Sequence, residues 1–186
     1  MISDKLNTFA GTITGAAGMA ASQLTGTALP TATGTAVCGD VIDLWNGNAA
    51  KPNQSGAIGP NGELGGPLTN MIDSFGGNEP GVELYAQAVA AITGGGTEVV
   101  RLELVACSQA DLAGGTVAIL RATANRTGAT PWAAGELIRE LCGTIPPVGA
   151  NLRYLGIRVV TATAVLTGGT LYAALVRDFQ QSNVQG

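Results

Sequence analysis

The chain has 186 residues, of which 46% are hydrophobic and only 12% charged, with 28 Gly and no His. Without His, the Ser–His–Asp and Cys–His catalytic sets are excluded, and with them the commonest metal ligand. The net charge of −4 and the scattered Lys and Arg argue against nucleic-acid binding, which draws on clustered basic residues.

Residues 1–10 carry Ile2, Leu6 and Phe9, the apolar side chains of an anchoring arm or one short helical turn. Residues 11–36 are a low-complexity Gly/Ala/Thr/Ser tract. Such a tract buries too little to offset its own ordering entropy, so it must be held down on its own domain or on a neighbour. We therefore divide the chain into an N-terminal arm, 1–36, and a β-domain, 37–186. Residues 8–22 resemble the apolar part of a signal peptide, but Asp4 sits beside Lys5 and no net positive region precedes them. No run of about 18 strongly apolar residues is present, so no transmembrane helix and no membrane partner is expected.

The first predicted strand is 37–45. Val37, Val41 and Trp45 share one parity, and Ile42 and Leu44 share the other, so both faces are apolar. A Gly/Pro/Asn-rich excursion follows at 46–81, longer than connections inside compact domains usually run. Leu64, Leu68, Met71, Ile72 and Phe75 give it an apolar foothold, and 68–75 reads as a short helix.

Further strands are predicted at 82–92, 98–107, 116–124, 135–142, 152–166 and 170–179. In the third of these seven strands, Val100, Leu102, Leu104 and Ala106 alternate with Arg101 and Glu103, the period of a half-buried strand. The Gly-rich links at 92–98, 112–117 and 166–171 read as hairpin turns, the last most strongly. No amphipathic crossover helix separates the strands. The architecture is therefore all-β, an antiparallel sandwich or barrel.

Few residues offer chemistry. Lys5 and Lys51 are the only Lys, and both fall in arm or loop segments, which argues against a Ser–Lys or Cys–Lys pair. The carboxylate pairs Asp40/Asp43 and Glu136/Glu140 lack the aromatic-lined cleft of a glycosidase and read as solvated groups. The Gly-rich run 59–67 lacks the GK[ST] of a phosphate loop. Asp40, Asp43 and Asp73 have no EF-hand spacing. Cys38, Cys107 and Cys142 are odd in number and have no CxxC spacing, so they read as small buried hydrophobes. Arg101/Glu103 and Arg139/Glu140 read as solvated or intersubunit pairs. No enzyme activity, cofactor or metal is expected. A surface with half the usual charge implies contact with other protein over a large area. Trp45 and Trp132 read as core or interface anchors.

Several segments together resemble a known family. They are Met1-Ile2-Ser3-Asp4 with Phe9, Val41-Ile42-Asp43-Leu44, Glu83-Leu84-Tyr85, and Gly168-Gly169-Thr170-Leu171-Tyr172-Ala173-Ala174-Leu175-Val176 with Asp178. In their order they are similar to the capsid cement (decoration) proteins of short-tailed bacteriophages. The likeness spans 1–10, 37–45 and 82–180; residues 49–80 look like an insertion. The resemblance implies a jelly-roll-like β-sandwich that assembles as a homotrimer and binds the major capsid protein on the outer surface of the virion. Such a protein is made in the bacterial host cytoplasm. On this reading the contact residues are Ile2, Leu6, Phe9, Trp45, Leu68, Met71, Ile72 and Phe75, and removing residues 1–10 should leave a folded protein that no longer decorates shells. The alternative is a carbohydrate- or receptor-binding sandwich of a phage tail or fibre, which would need an exposed aromatic platform.

Overall fold

The computed structural model describes residues 8–13, 24–43, 83–145 and 152–176. These are all-β, with no helix among them. The strands are β1 (Thr8–Ala10), β2 (Thr12–Ile13), β3 (Leu24–Thr25), β4 (Thr27–Ala28), β5 (Gly34–Asp43), β6 (Glu83–Gly94), β7 (Val99–Cys107), β8 (Val117–Ala122), β9 (Arg126–Thr127), β10 (Gly143–Thr144), β11 (Tyr154–Ala162) and β12 (Leu166–Val176). One antiparallel sheet runs β1-β12-β6-β10, with β4 also on β12; the other runs β5-β11-β7-β8, with β9 also on β7. β2 and β3 pair only with each other.

The two sheets face each other across one aliphatic core, which makes the fold a β-sandwich. Leu84, Ala86, Ala88 and Ile92 of β6 and Leu171, Ala173 and Leu175 of β12 pack in the same cluster as Val100, Leu102, Leu104 and Ala106 of β7 and Leu155, Ile157 and Val159 of β11. The period-2 alternation of β7 puts its even-numbered residues here, as the sequence predicts. Of the odd-numbered residues, Glu103, Val105 and Cys107 are buried as well. Val105 and Cys107 form a second apolar cluster outside the sheet with Leu112, Val37, Val41, Val117 and Tyr154. The other sheet is covered likewise, where Tyr85, Tyr172, Ala174 and Leu24 pack with Val89 and Leu137. The apolar residues on both parities of β5 have the same cause: Cys38 and Ile42 enter the core, while Val37 and Val41 lie under Leu112.

Three sequence-based expectations are corrected. Residues 135–142 form no strand. They run along the free side of β6 as a chain of turns, with Ala88 N–H donating to Glu136 O and Ile138 N–H to Ala86 O. Gly135, at φ +78°, turns the chain there. The 166–171 link is no hairpin turn: Gly168 and Gly169 lie inside β12, at irregularities of its pairing with β6. Gly169 has φ +133°, and a Cβ on it would press on the backbone of Ile92. The turn falls earlier, at Thr163 with φ +74°. Finally, 94–98 joins strands of different sheets, so it is a corner between the layers and not a hairpin tip.

The described part of 1–36 is built into the sandwich. β1 and β4 extend the first sheet along β12. Phe9 is 1% exposed and sits in the main core. Gly39 of β5, at φ +81°, lets β5 pass against the backbone of Phe9 and Ala10, where a Cβ would collide with the Phe9 carbonyl. Gly39→Ala is expected to cost about 2 kcal/mol or more, from the positive φ and the displaced strand together. Urea unfolding checks it, and a change under 0.5 kcal/mol (about the size of an ordinary surface substitution) would refute the close approach. The excursion 46–81 and the predicted helix 68–75 lie outside the described residues.

Candidate functional surface

A buried charge cluster is built by cross-strand pairing. Glu103 of β7 lies directly opposite Arg158 of β11. Both point outward, away from the main core. Arg158 Nε donates to Glu103 Oε2 at 2.6 Å, and its Nη1 donates to the carbonyl of Leu112 at 2.6 Å. Arg101 Nη2 lies 2.5 Å from Glu103 Oε1, an ion pair not aligned as a hydrogen bond. Glu103 is fully buried, whereas the Arg101 side chain is 35% exposed. The expectation of a solvated or intersubunit Arg101/Glu103 pair is therefore corrected: the pair is internal and shares its carboxylate with Arg158.

The cover over this cluster is the 108–116 loop. Asp111 Oδ1 accepts the N–H groups of Ala113 and Gly114, which holds the Asp111 carboxyl below its usual range. Ser108 Oγ accepts the Thr116 N–H at 2.9 Å. Leu112 adopts φ +54°, a costly conformation for a non-Gly residue, and is fully buried over Gly156. Arg158 thus ties the loop to the sheet. The arrangement is structural: both faces of the carboxylate are occupied by guanidinium groups of the same chain.

The opposite cover, 129–142, has its own staple. Arg126 of β9 stacks 4.7 Å from the Trp132 ring centroid and donates through Nη1 to Glu136 Oε1 at 2.7 Å and to the Pro131 carbonyl at 2.8 Å. Glu140 lies 3.4 Å from the same guanidinium. Glu136/Glu140 is therefore a pair of Arg126 ligands, not a free carboxylate pair. The Arg126 hydrogen bond, then the Ala133 N–H, hold the Glu136 carboxyl below its ordinary range. A carboxyl depressed in the folded state stabilises fully above the ordinary carboxylate range, and that contribution is lost as pH falls through the depressed value. The Tm gap between the unmodified protein and Glu136→Gln should therefore be constant near neutrality and shrink on acidification. A gap independent of pH would refute the pairing.

The cysteines are free thiols. Burial pushes the Cys38 thiol up to about 12 and raises that of Cys142. Among the described residues no group of His, Cys, Asp and Glu could hold a metal ion.

Of the residues expected to make contacts, Phe9 is placed in the chain's own core. Ile2, Leu6, Trp45, Leu68, Met71, Ile72 and Phe75 lie outside the described residues. Trp132 is fully buried and packs in the core. Sequence reasoning missed the surface that the described fold does leave open. β8 (Val117–Ala122) forms one rim of the second sheet and pairs only with β7. Its sequence, VAILRA, carries one charge and no Pro, and Ile119 is 51% exposed at its centre. Folded monomers usually protect such edges with charges, Pro or bulges; β8 has Arg121 and one irregularity in its pairing with β7, at Leu104/Val105, yet leaves Ile119 bare. The missing signal was the position of β8 in the sheet: the sequence contains the strand but not which strands lie at the rim.

No family model matches this chain, and no curated protein matches it either.

Proposed function

We propose that this chain is a structural virion protein: a cement or decoration protein that binds the outer surface of a phage capsid as a homotrimer, contacts the major capsid protein, and acts without catalysis. The observation that carries this reading is the open apolar rim at β8 on a protein with only 12% charged residues. An exposed strand edge offers backbone donors and acceptors, and Ile119 adds an apolar contact. Repeated by symmetry, individually weak contacts of this kind give avid binding. The jelly-roll form of the sandwich belongs to this same proposal, as does the location on the virion exterior.

The order of the segments that resemble the cement proteins supports the assignment. It leaves Ile2, Leu6, Trp45 and the 68–75 patch as the proposed contacts, with Phe9 reassigned to the core. The carbohydrate-binding alternative gains little support from the described residues: Trp132, Tyr85 and Tyr172 are buried in packing, and the half-buried Tyr154 lies under the Arg153 guanidinium.

The test is compositional and structural. Particles purified from the phage that encodes this chain should contain it in stoichiometric amounts, and a cryo-EM map should show it outside the shell. Light scattering of the isolated protein reports whether the trimer forms before docking. Particles that lack the chain would sink the proposal.

A further inference from the structure

Five buried side-chain polar atoms among the described residues have no hydrogen-bond partner in the protein. Two of them, Arg101 Nε and Glu103 Oε1, belong to the ion-pair cluster already described. The other three, Glu98 Oε1, Thr161 Oγ1 and Trp132 Nε1, come from separate parts of the sequence, and strand pairing brings their residues to one end of the sandwich. Thr161 is paired with Val100, two residues beyond Glu98. It also continues the inward parity of Ile157 and Val159 on β11. Glu98 folds back over the end of β6, where a Cβ on Gly94 would overlap its carboxylate. Trp132 bridges to Ile92, two residues before Gly94, and Gly94 N–H donates to Ala129 O. The three residues are therefore anchored around the corner at which β6 passes into β7. Glu98 and Trp132 are fully buried, and Thr161 is 2% exposed. Only Glu98 Oε2 is served, by the Gly96 N–H at 2.7 Å.

Buried polar groups are almost always paired, and three exceptions at one place call for a common partner. Their chemistry selects it. A carboxylate oxygen needs a donor, an indole N–H needs an acceptor, and a hydroxyl takes either. An anion is repelled by Glu98, and a cation by the Trp132 N–H. A small neutral molecule that both donates and accepts fits all three. We infer that this corner is a binding site for an internal water, which accepts from Trp132 Nε1, donates to Glu98 Oε1 and bonds Thr161 Oγ1. Internal water molecules typically make about three such bonds. The site is independent of the capsid proposal and stands or falls without it.

Oxygen-17 relaxation dispersion on the intact chain counts long-lived internal water. The count should fall by one in Thr161→Val. Thr161→Val should also lower Tm by about 3 °C or more, since it leaves the guest short of a partner. Combined with Glu98→Gln, the shifts should be non-additive, because the two residues act through one molecule. Should the variants fail to fold, dispersion on the unmodified chain still decides, because the absence of any long-lived water overturns the inference. Additive Tm shifts with an unchanged count overturn it too. So does a Tm that climbs with sodium over choline at equal ionic strength, which would place a cation there.

Discussion

Arg158→Met is expected to destabilise the sandwich by about 3–5 kcal/mol, the usual cost of stripping the partner from a buried charge. The reason is geometric. Glu103 is fully sealed, and Arg158 supplies its one aligned hydrogen bond, at 2.6 Å. Arg101 would remain, but it is partly solvated and poorly aligned. The same substitution frees the Leu112 carbonyl, so the 108–116 loop loses its tie as well. Leu112, held at positive φ, would then relax away from Val105 and Cys107. A second substitution separates the causes. Glu103→Gln combined with Arg158→Met removes the stranded charge and should recover much of the loss, since apolar or neutral replacements of buried ion pairs are well tolerated. Urea unfolding of the two variants measures both effects. A loss below 1 kcal/mol in Arg158→Met would show that Glu103 reaches solvent.

Phe9→Ala is expected to cost about 3–5 kcal/mol, the range for truncating a buried aromatic. Phe9 is 1% exposed on a three-residue strand that closes the rim of the first sheet. Its loss opens a cavity in the main core, to which Phe9 belongs. The consequence reaches the functional test. Removing residues 1–10 deletes β1 and Phe9 together, so lost decoration would report a damaged fold as readily as a lost contact. Removing residues 1–6 leaves β1 in place and isolates the proposed contacts Ile2 and Leu6. The shorter deletion should keep Tm within about 2 °C (the shift for under 1 kcal/mol) while lowering shell occupancy. Equal melting losses for the two deletions would refute the distinction.

Much of the β-fold was legible from local pattern. The alternation at Val100, Leu102, Leu104 and Ala106 placed β7, and the apolar residues on both parities of β5 anticipated its two covered faces. Failures arose where tertiary contact overrode local signal. Gly168-Gly169 has the composition of a turn, but its function is to let β12 pass close to Ile92. The 135–142 segment has the apolar content of a strand, yet Gly135 and the Arg126–Glu136 staple hold it in turns. Glu103 illustrates the limit for the site. Its charge, and the parity it shares with Arg101 against Leu102 and Leu104, suggest solvent, and only the register with Arg158 and the fold-over of Leu112 bury it. Rim position is likewise a property of the whole sheet, which is why β8 carried no warning in its own residues.

The two loop covers have a geometric consequence for assembly. With the flat sides of both layers roofed by Leu112 on one and Leu137 on the other, the described sandwich has little broad apolar area left to stack. In the proposed assembly, contacts through this part of the molecule would run sideways, edge to edge, within the plane of the layers. Copies joined that way would lie side by side, as tiles do on a roof, and add one constant thickness however many are laid down.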